Sequence, residues 1–267
     1  MTRTFDRLQA IDALRGLVIL IMMLDHVRET FYLHHQVTDP MVIADTEGFL
    51  FFSRTLAHLC APVFVILTGL SAYLYQAKYN SLTKTREFLL KRGFFLIFLE
   101  LVVINFAWTG QFPPDVIYLQ VIWAIGLSMV ALSLLIGFSK KWLWIISLFI
   151  IFGHNLLEKI SFVDMPLLQN FWFIFYERGW IELGGIRLRT SYPVLPWIGI
   201  ITLGYCIGSR LFDSKQESHN RNIALLSIGV ISISLFFILR FINLYGDQAW
   251  STMPSLLETI MSFFNLT

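Results

Sequence analysis

Asp25-His26-Val27-Arg28 places a carboxylate, an imidazole and a guanidinium within one helical turn. An imidazole titrates at about pH 6.5, so it can take a proton from an amine or hydroxyl and pass it on near neutrality. A neighbouring carboxylate fixes its tautomer and raises its basicity, and Asp25 and Arg28, three residues apart, are spaced to pair. Arg54 and His58 repeat the arginine–histidine combination one turn apart. Glu100 and Gln120 add an acid and an amide, and His34-His35 adds two more bases. These are the parts of a proton-transfer site with donors for a developing anion. They are equally the parts of a proton relay or a solute site in a transporter, so both chemistries stay open.

The elements that must position them are membrane helices. Of 267 residues, 56% are hydrophobic and only 14% charged, against about 25% charged in a soluble domain. Mean hydropathy is +0.67. So few charges cannot cover the surface of a soluble enzyme, and the apolar residues arrive in runs. A net charge of +2 is too small for a nucleic-acid binder. Cys60 and Cys206 both lie inside apolar runs, with no disulfide or metal spacing around them, and no metal is expected.

A spanning helix needs about 20 apolar residues, and about seven stretches qualify: Ile11–Leu33, Phe49–Tyr75, Phe88–Thr109, Ile117–Gly137, Trp142–Leu157, Val194–Phe212 and Ile223–Tyr245. The first is not read as a cleaved signal, because it carries Asp25, His26 and Arg28 and no small-residue cleavage site follows. The expectation is an all-α, polytopic bundle forming a single domain over residues 1–267. Lys and Arg concentrate near Arg3–Arg15, between Lys78 and Arg92, at Lys140-Lys141 and between Arg210 and Arg221. The loops between are acidic or mixed, which sets the N-terminus in the cytoplasm.

With a rise of about 1.5 Å per residue, this orientation places Asp25, His26, Arg28, Arg54, His58 and Glu100 in one slab of the outer half of the bilayer. Gln120 lies shallower, and His34 and His35 sit just above. An ionisable group at a helix centre costs about 2.5–3.5 kcal/mol to insert, so such groups face a cavity or one another. A functional cavity is the preferred reading, with a structural ion-pair network between the first spans as its rival. On the inner side stand Arg15, Lys91, Arg92, Lys140 and Lys141. Positive-inside bias explains these by itself, and Arg15 can pair with Asp12.

Ile11-Asp12-Ala13-Leu14-Arg15-Gly16, followed by Met22, Met23 and Asp25-His26-Val27-Arg28, resembles the opening of the bacterial homologues of heparan-α-glucosaminide N-acetyltransferase. Ala61-Pro62-Val63-Phe64-Val65 with Gly69 and Ser71 is similar to the family's second-helix signature, and Leu119-Gln120-Val121-Ile122 with Gly126 to the fourth. His154-Asn155-Leu156-Leu157 and Tyr192-Pro193-Val194-Leu195-Pro196-Trp197-Ile198-Gly199 resemble two later signatures, in the family's order.

The resemblance implies a multi-helix membrane acyltransferase in a bacterial inner membrane. Acetyl-coenzyme A would be the donor from the cytoplasmic side, and a sugar or glycan the acceptor on the other. In the lysosomal enzyme the functional histidine follows the first helix, and His34 and His35 are the nearest positions here. Bacterial relatives carry Asp-His-x-Arg, which points to His26 with Asp25, and His58 is a further candidate. Arg28, Arg54, Glu100 and Gln120 are then expected to bind substrate, with Arg28, Arg54 or Gln120 supplying an oxyanion donor. Arg15, Lys91, Arg92, Lys140 and Lys141 are expected to meet the coenzyme's phosphates. Relatives continue past Asn265-Leu266-Thr267 with more helices, which this chain is expected to lack. The acceptor and the oligomeric state, a homodimer among the options, stay open.

Overall fold

The computed structural model describes residues 9–31, 40–212, 218–244 and 249–265; for 28–31 and 218 only the backbone is described. In chain order the helices are α1 (Gln9–Phe31), α2 (Gly48–Ala57), α3 (Cys60–Tyr79), α4 (Leu82–Phe98), α5 (Asn105–Thr109), α6 (Val121–Leu135), α7 (Lys140–Gly153), α8 (Pro166–Phe175), α9 (Val194–Leu211), α10 (Ser218–Ile242) and α11 (Leu256–Phe264). Strands β1 (Val116–Leu119), β2 (Gly179–Leu183) and β3 (Ile186–Thr190) complete the fold.

The fold is mostly helical, as the apolar runs imply. Three stretches among the described residues are long and apolar enough to cross a membrane: Gly48–Tyr79, Val194–Leu211 and His219–Ile242. Val121–Leu135 is apolar but shorter. The all-α expectation needs one correction, a three-stranded sheet in the order β1-β3-β2. Ile117-Tyr118-Leu119, expected to open a span, are β-branched and aromatic residues suited to a strand. They pair in parallel with Leu188-Arg189-Thr190, and α6 starts only after Gln120. The Gly184-Gly185 turn, both residues at positive φ, closes the antiparallel β2–β3 hairpin.

The chain forms two compact units, one of residues 65–213 and the other of residues 7–64 and 214–267. The core of the first gathers Val65, Ala72, Leu89, Met129, Leu132, Leu143, Ile201 and Cys206. Its helices approach closely through glycine. A Cβ on Gly126 would lie 2.8 Å from the Gly93 carbonyl oxygen, and one on Gly93 equally close to that of Gly126. Without a hydrophobic drive in lipid, such small-residue contacts let backbones pack α4 on α6. Gly69 against the Ile201 carbonyl and Gly204 against that of Ile66 do the same for α3 and α9. Tyr205 adds a hydroxyl hydrogen bond to Gln76 Oε1 at 2.5 Å.

In the second unit, α1 packs on α2, and α11 on α2. Met41, Phe51 and Met261 form its small core. Ser255 and Glu258 cap the start of α11 reciprocally. Its end is closed by Arg240, whose guanidinium donates to the carbonyls of Phe263 at 2.8 Å and Ser262 at 3.0 Å. A buried arginine at a helix C-terminus satisfies both the orphan carbonyls and the negative dipole end. No residue in the most apolar window of α10 is buried, which leaves a surface that a bilayer would cover. Cys60 and Cys206 are buried thiols with no disulfide.

Candidate functional site

The candidate residues fall into two groups, each built inside one unit. In the second unit, Asp25 on α1 is 8% exposed and forms an ion pair with Arg54 on α2. The sequence spacing favoured Arg28 as partner, but the Arg28 side chain lies outside those described. His58 ends α2, its backbone N–H donating to the Arg54 carbonyl at 3.1 Å. Four residues apart, Arg54 and His58 share a helix face. One structure therefore holds Asp25, Arg54 and His58 on adjoining elements.

His26 follows Asp25 on α1, so its side chain leaves the helix about 100° away. Asp25 is buried toward Arg54 while His26 is exposed. His34 and His35 lie outside the described residues.

The other group belongs to the first unit and centres on Glu100. Here the helix widens into a π turn at Leu99–Ile104, the kind of single-turn bulge that recurs at functional sites. Glu100 is 1% exposed. Its Oε2 accepts the backbone N–H of Trp123 at 3.1 Å, and Oε1 has no hydrogen-bond partner among the described residues. Trp123 is the third residue of α6, and Gln120, at the N-cap, makes no side-chain cap of its own. Glu100 thus caps α6 from a neighbouring helix and sets a carboxyl against its positive dipole end.

Asn105, which the sequence reading passed over, holds this arrangement. Its Nδ2 donates to the carbonyls of Glu100 at 2.7 Å and Tyr118 at 3.0 Å, while Oδ1 accepts the Tyr118 N–H at 2.7 Å. One amide satisfies both the bulge and the strand that leads to Gln120. The available signal was an asparagine inside an apolar run, where an amide needs buried partners.

Several of the basic residues expected to meet phosphates have partners of their own. Arg15 pairs with Asp12 at 3.8 Å. Lys91 donates to Glu87 at 2.6 Å, and that bond holds the Glu87 carboxyl below the usual carboxylate range. Arg92 lies 4.9 Å above the Phe88 ring. Lys140 and Lys141 are exposed in the first turn of α7.

A family model described as heparan-alpha-glucosaminide N-acetyltransferase, catalytic, matches residues 7–241. The chain belongs to that family. No curated protein and no solved structure gives a match. In this heparan-alpha-glucosaminide N-acetyltransferase family member the matched stretch runs from α1 into α10. It contains Arg15, Asp25, His26, Arg54, His58, Glu100, Gln120 and the cations from Lys91 to Lys141. Membership supports acetyl transfer by a membrane protein as the general activity.

Proposed function

We propose that the protein is a membrane acetyltransferase that moves the acetyl group of cytoplasmic acetyl-coenzyme A to an amine or hydroxyl of a sugar or glycan on the outer side. The family match over residues 7–241 carries this reading. The coenzyme supplies a thioester-activated acetyl group. His26 takes the proton from the acceptor as its new bond to the acetyl carbon forms, and returns it to the departing thiolate as the C–S bond breaks. Asp25 and Arg54 form a charge pair beside it, and Arg28, Arg54 or Gln120 supplies a donor for the developing oxyanion. Exposed Lys140 and Lys141, with Arg15, Lys91 and Arg92, offer cations for the coenzyme's phosphates on the inner side. The same reading has a single domain of about seven spans, the N-terminus in the cytoplasm, the Glu158–Pro193 loop outside, and a bacterial inner membrane as location.

The test is transfer of radiolabel from acetyl-coenzyme A to glucosamine by the purified protein in detergent. His26→Ala is expected to abolish transfer while leaving coenzyme binding nearly intact. Transfer that survives in His26→Ala but disappears in His34→Ala or His35→Ala reassigns the base. Sugar uptake into proteoliposomes without acetylation points instead to a transporter. For orientation, a cysteine placed at Asp39 should label from outside and one at Ser81 should not.

A further inference from the structure

One face of the small sheet remains outside that reaction. Cross-strand register puts Trp180 of β2 opposite Arg189 of β3, and Arg189 opposite Tyr118 of β1. The next row sets Glu182 opposite Arg187. Directly opposed residues share a face, so Trp180, Arg189, Tyr118, Glu182 and Arg187 form one surface. The other face is the buried one, with Ile181, Leu119 and Thr190 at most 3% exposed.

The surface is held firmly. Gly179 at the start of β2 leaves no room for a Cβ beside the Phe173 ring of α8. Its N–H donates to Thr190 Oγ1 at 2.8 Å. Trp180 remains 47% exposed, and Arg187 is exposed too.

Both guanidiniums reach the same indole. Arg187 and Arg189 lie 5.8 and 5.2 Å from the Trp180 ring centre, and neither enters an ion pair among the described residues. Arginines two apart on a strand start about 7 Å from each other at the backbone, near enough for one ligand group to lie between them. A carboxylate is filled by one bidentate guanidinium, whereas a phosphoryl group has oxygens enough for two. Glu182 beside them accepts hydrogen bonds and disfavours a bare anion. It suits a ligand whose phosphoryl is flanked by hydroxyls. Trp180 and Tyr118 add rings with an apolar face and a polar tip.

We infer that this face binds a phosphate-bearing sugar. The phosphoryl group sits between Arg187 and Arg189, hydroxyls meet Glu182, and the sugar ring lies against Trp180 and Tyr118. Tyr118 stands two residues before Gln120, about 7 Å along the strand. The acceptor reading above explains why such a sugar would dock there, and to that extent the inference rests on it. The binding itself is measured without any transfer.

The experiment is calorimetric titration of the full chain in detergent with glucosamine 6-phosphate, glucosamine, glucuronate and inorganic phosphate, beside flotation with phosphatidylglycerol nanodiscs. Glucosamine 6-phosphate should bind at least about tenfold more tightly than each of the other three, the worth of one charge-assisted contact. Trp180→Ala should weaken it about tenfold, and Arg187→Gln with Arg189→Gln should remove it. Arg189→Lys, which keeps the charge but not the fork, should weaken it in a fold checked by thermal melting. Equal affinity for glucosamine or glucuronate, or binding indifferent to both arginines, overturns the phosphoryl assignment. Equal affinity for inorganic phosphate overturns the sugar assignment, and arginine-dependent capture of phosphatidylglycerol alone makes this a lipid headgroup site. If glucosamine is acetylated but no phosphosugar binds, the transferase stands and this site falls. If the phosphosugar binds and no acetyl transfer occurs, the reverse holds.

Discussion

Replacing Arg54 with leucine removes the guanidinium that faces Asp25 and leaves a carboxylate with 8% of its surface exposed. Breaking a fully buried ion pair from one side costs about 3–5 kcal/mol. Arg54 keeps 30% of its side-chain surface, so solvent reaches the pair and a smaller cost, about 2–3 kcal/mol, is expected. Both residues make other contacts, so a single substitution cannot isolate the pair. A double-mutant cycle of Arg54→Leu, Asp25→Leu and the combination cancels those contacts. The assay is SDS-induced unfolding in mixed micelles followed by tryptophan fluorescence. The coupling should be about 2 kcal/mol, or about thirtyfold in the folding equilibrium. A coupling below about 0.5 kcal/mol, the level of an open surface pair, would falsify the view that α1 is fastened to α2 by buried charge.

The same unfolding assay tests the cap on α6. Glu100→Leu strips the acceptor from the Trp123 N–H and should cost about 1–2 kcal/mol, whereas Glu100→Gln keeps an acceptor and should lose less than half of that. Gly126→Val drives a side chain into the Gly93 carbonyl and should destabilise by about 1–3 kcal/mol or more, seen as loss of the monodisperse peak in gel filtration. Gly153→Ala is the control, since the nearest atom, on the Phe149 ring, is 3.8 Å from the new Cβ. Its elution and melting should match the parent chain. Arg240→Ala frees the Phe263 and Ser262 carbonyls, and limited proteolysis should then cut within Leu256–Phe264 faster than in the parent.

The helices were legible because an apolar run of spanning length has few alternatives in water or lipid. Val194–Leu211 and the Gly48–Tyr79 stretch fall within a few residues of where hydropathy places them. The sheet was not legible, because Ile117-Tyr118-Leu119 abut the apolar start of α6 and read as part of it. A strand of four residues has no periodicity of its own, and its partner lies some seventy residues onward. The Gly184-Gly185 turn between alternating residues was the one local sign of the hairpin. Charged positions were legible as exceptions in apolar runs, and Asp25, Arg54 and Glu100 are indeed buried or partly so. The Arg54 partner of Asp25 was not, because packing of α1 on α2 brings together two residues far apart in sequence. The role of Glu100 was hidden for a similar reason: the N–H groups it caps belong to another helix.

The parallel pairing of β1 with β3 has a mechanical consequence. β1 runs through Gln120 directly into α6, and β3 runs through Ser191–Pro193 into α9. The ladder between them therefore clasps the entry points of two helices that pack on each other. Prising α6 from α9 at that end requires the β1–β3 hydrogen bonds to open first. The Ser191 N–H, which donates to the Leu119 carbonyl at 3.1 Å, should consequently exchange with solvent at the same rate as the first turns of both helices, as one hinge pin rather than a loose surface hairpin.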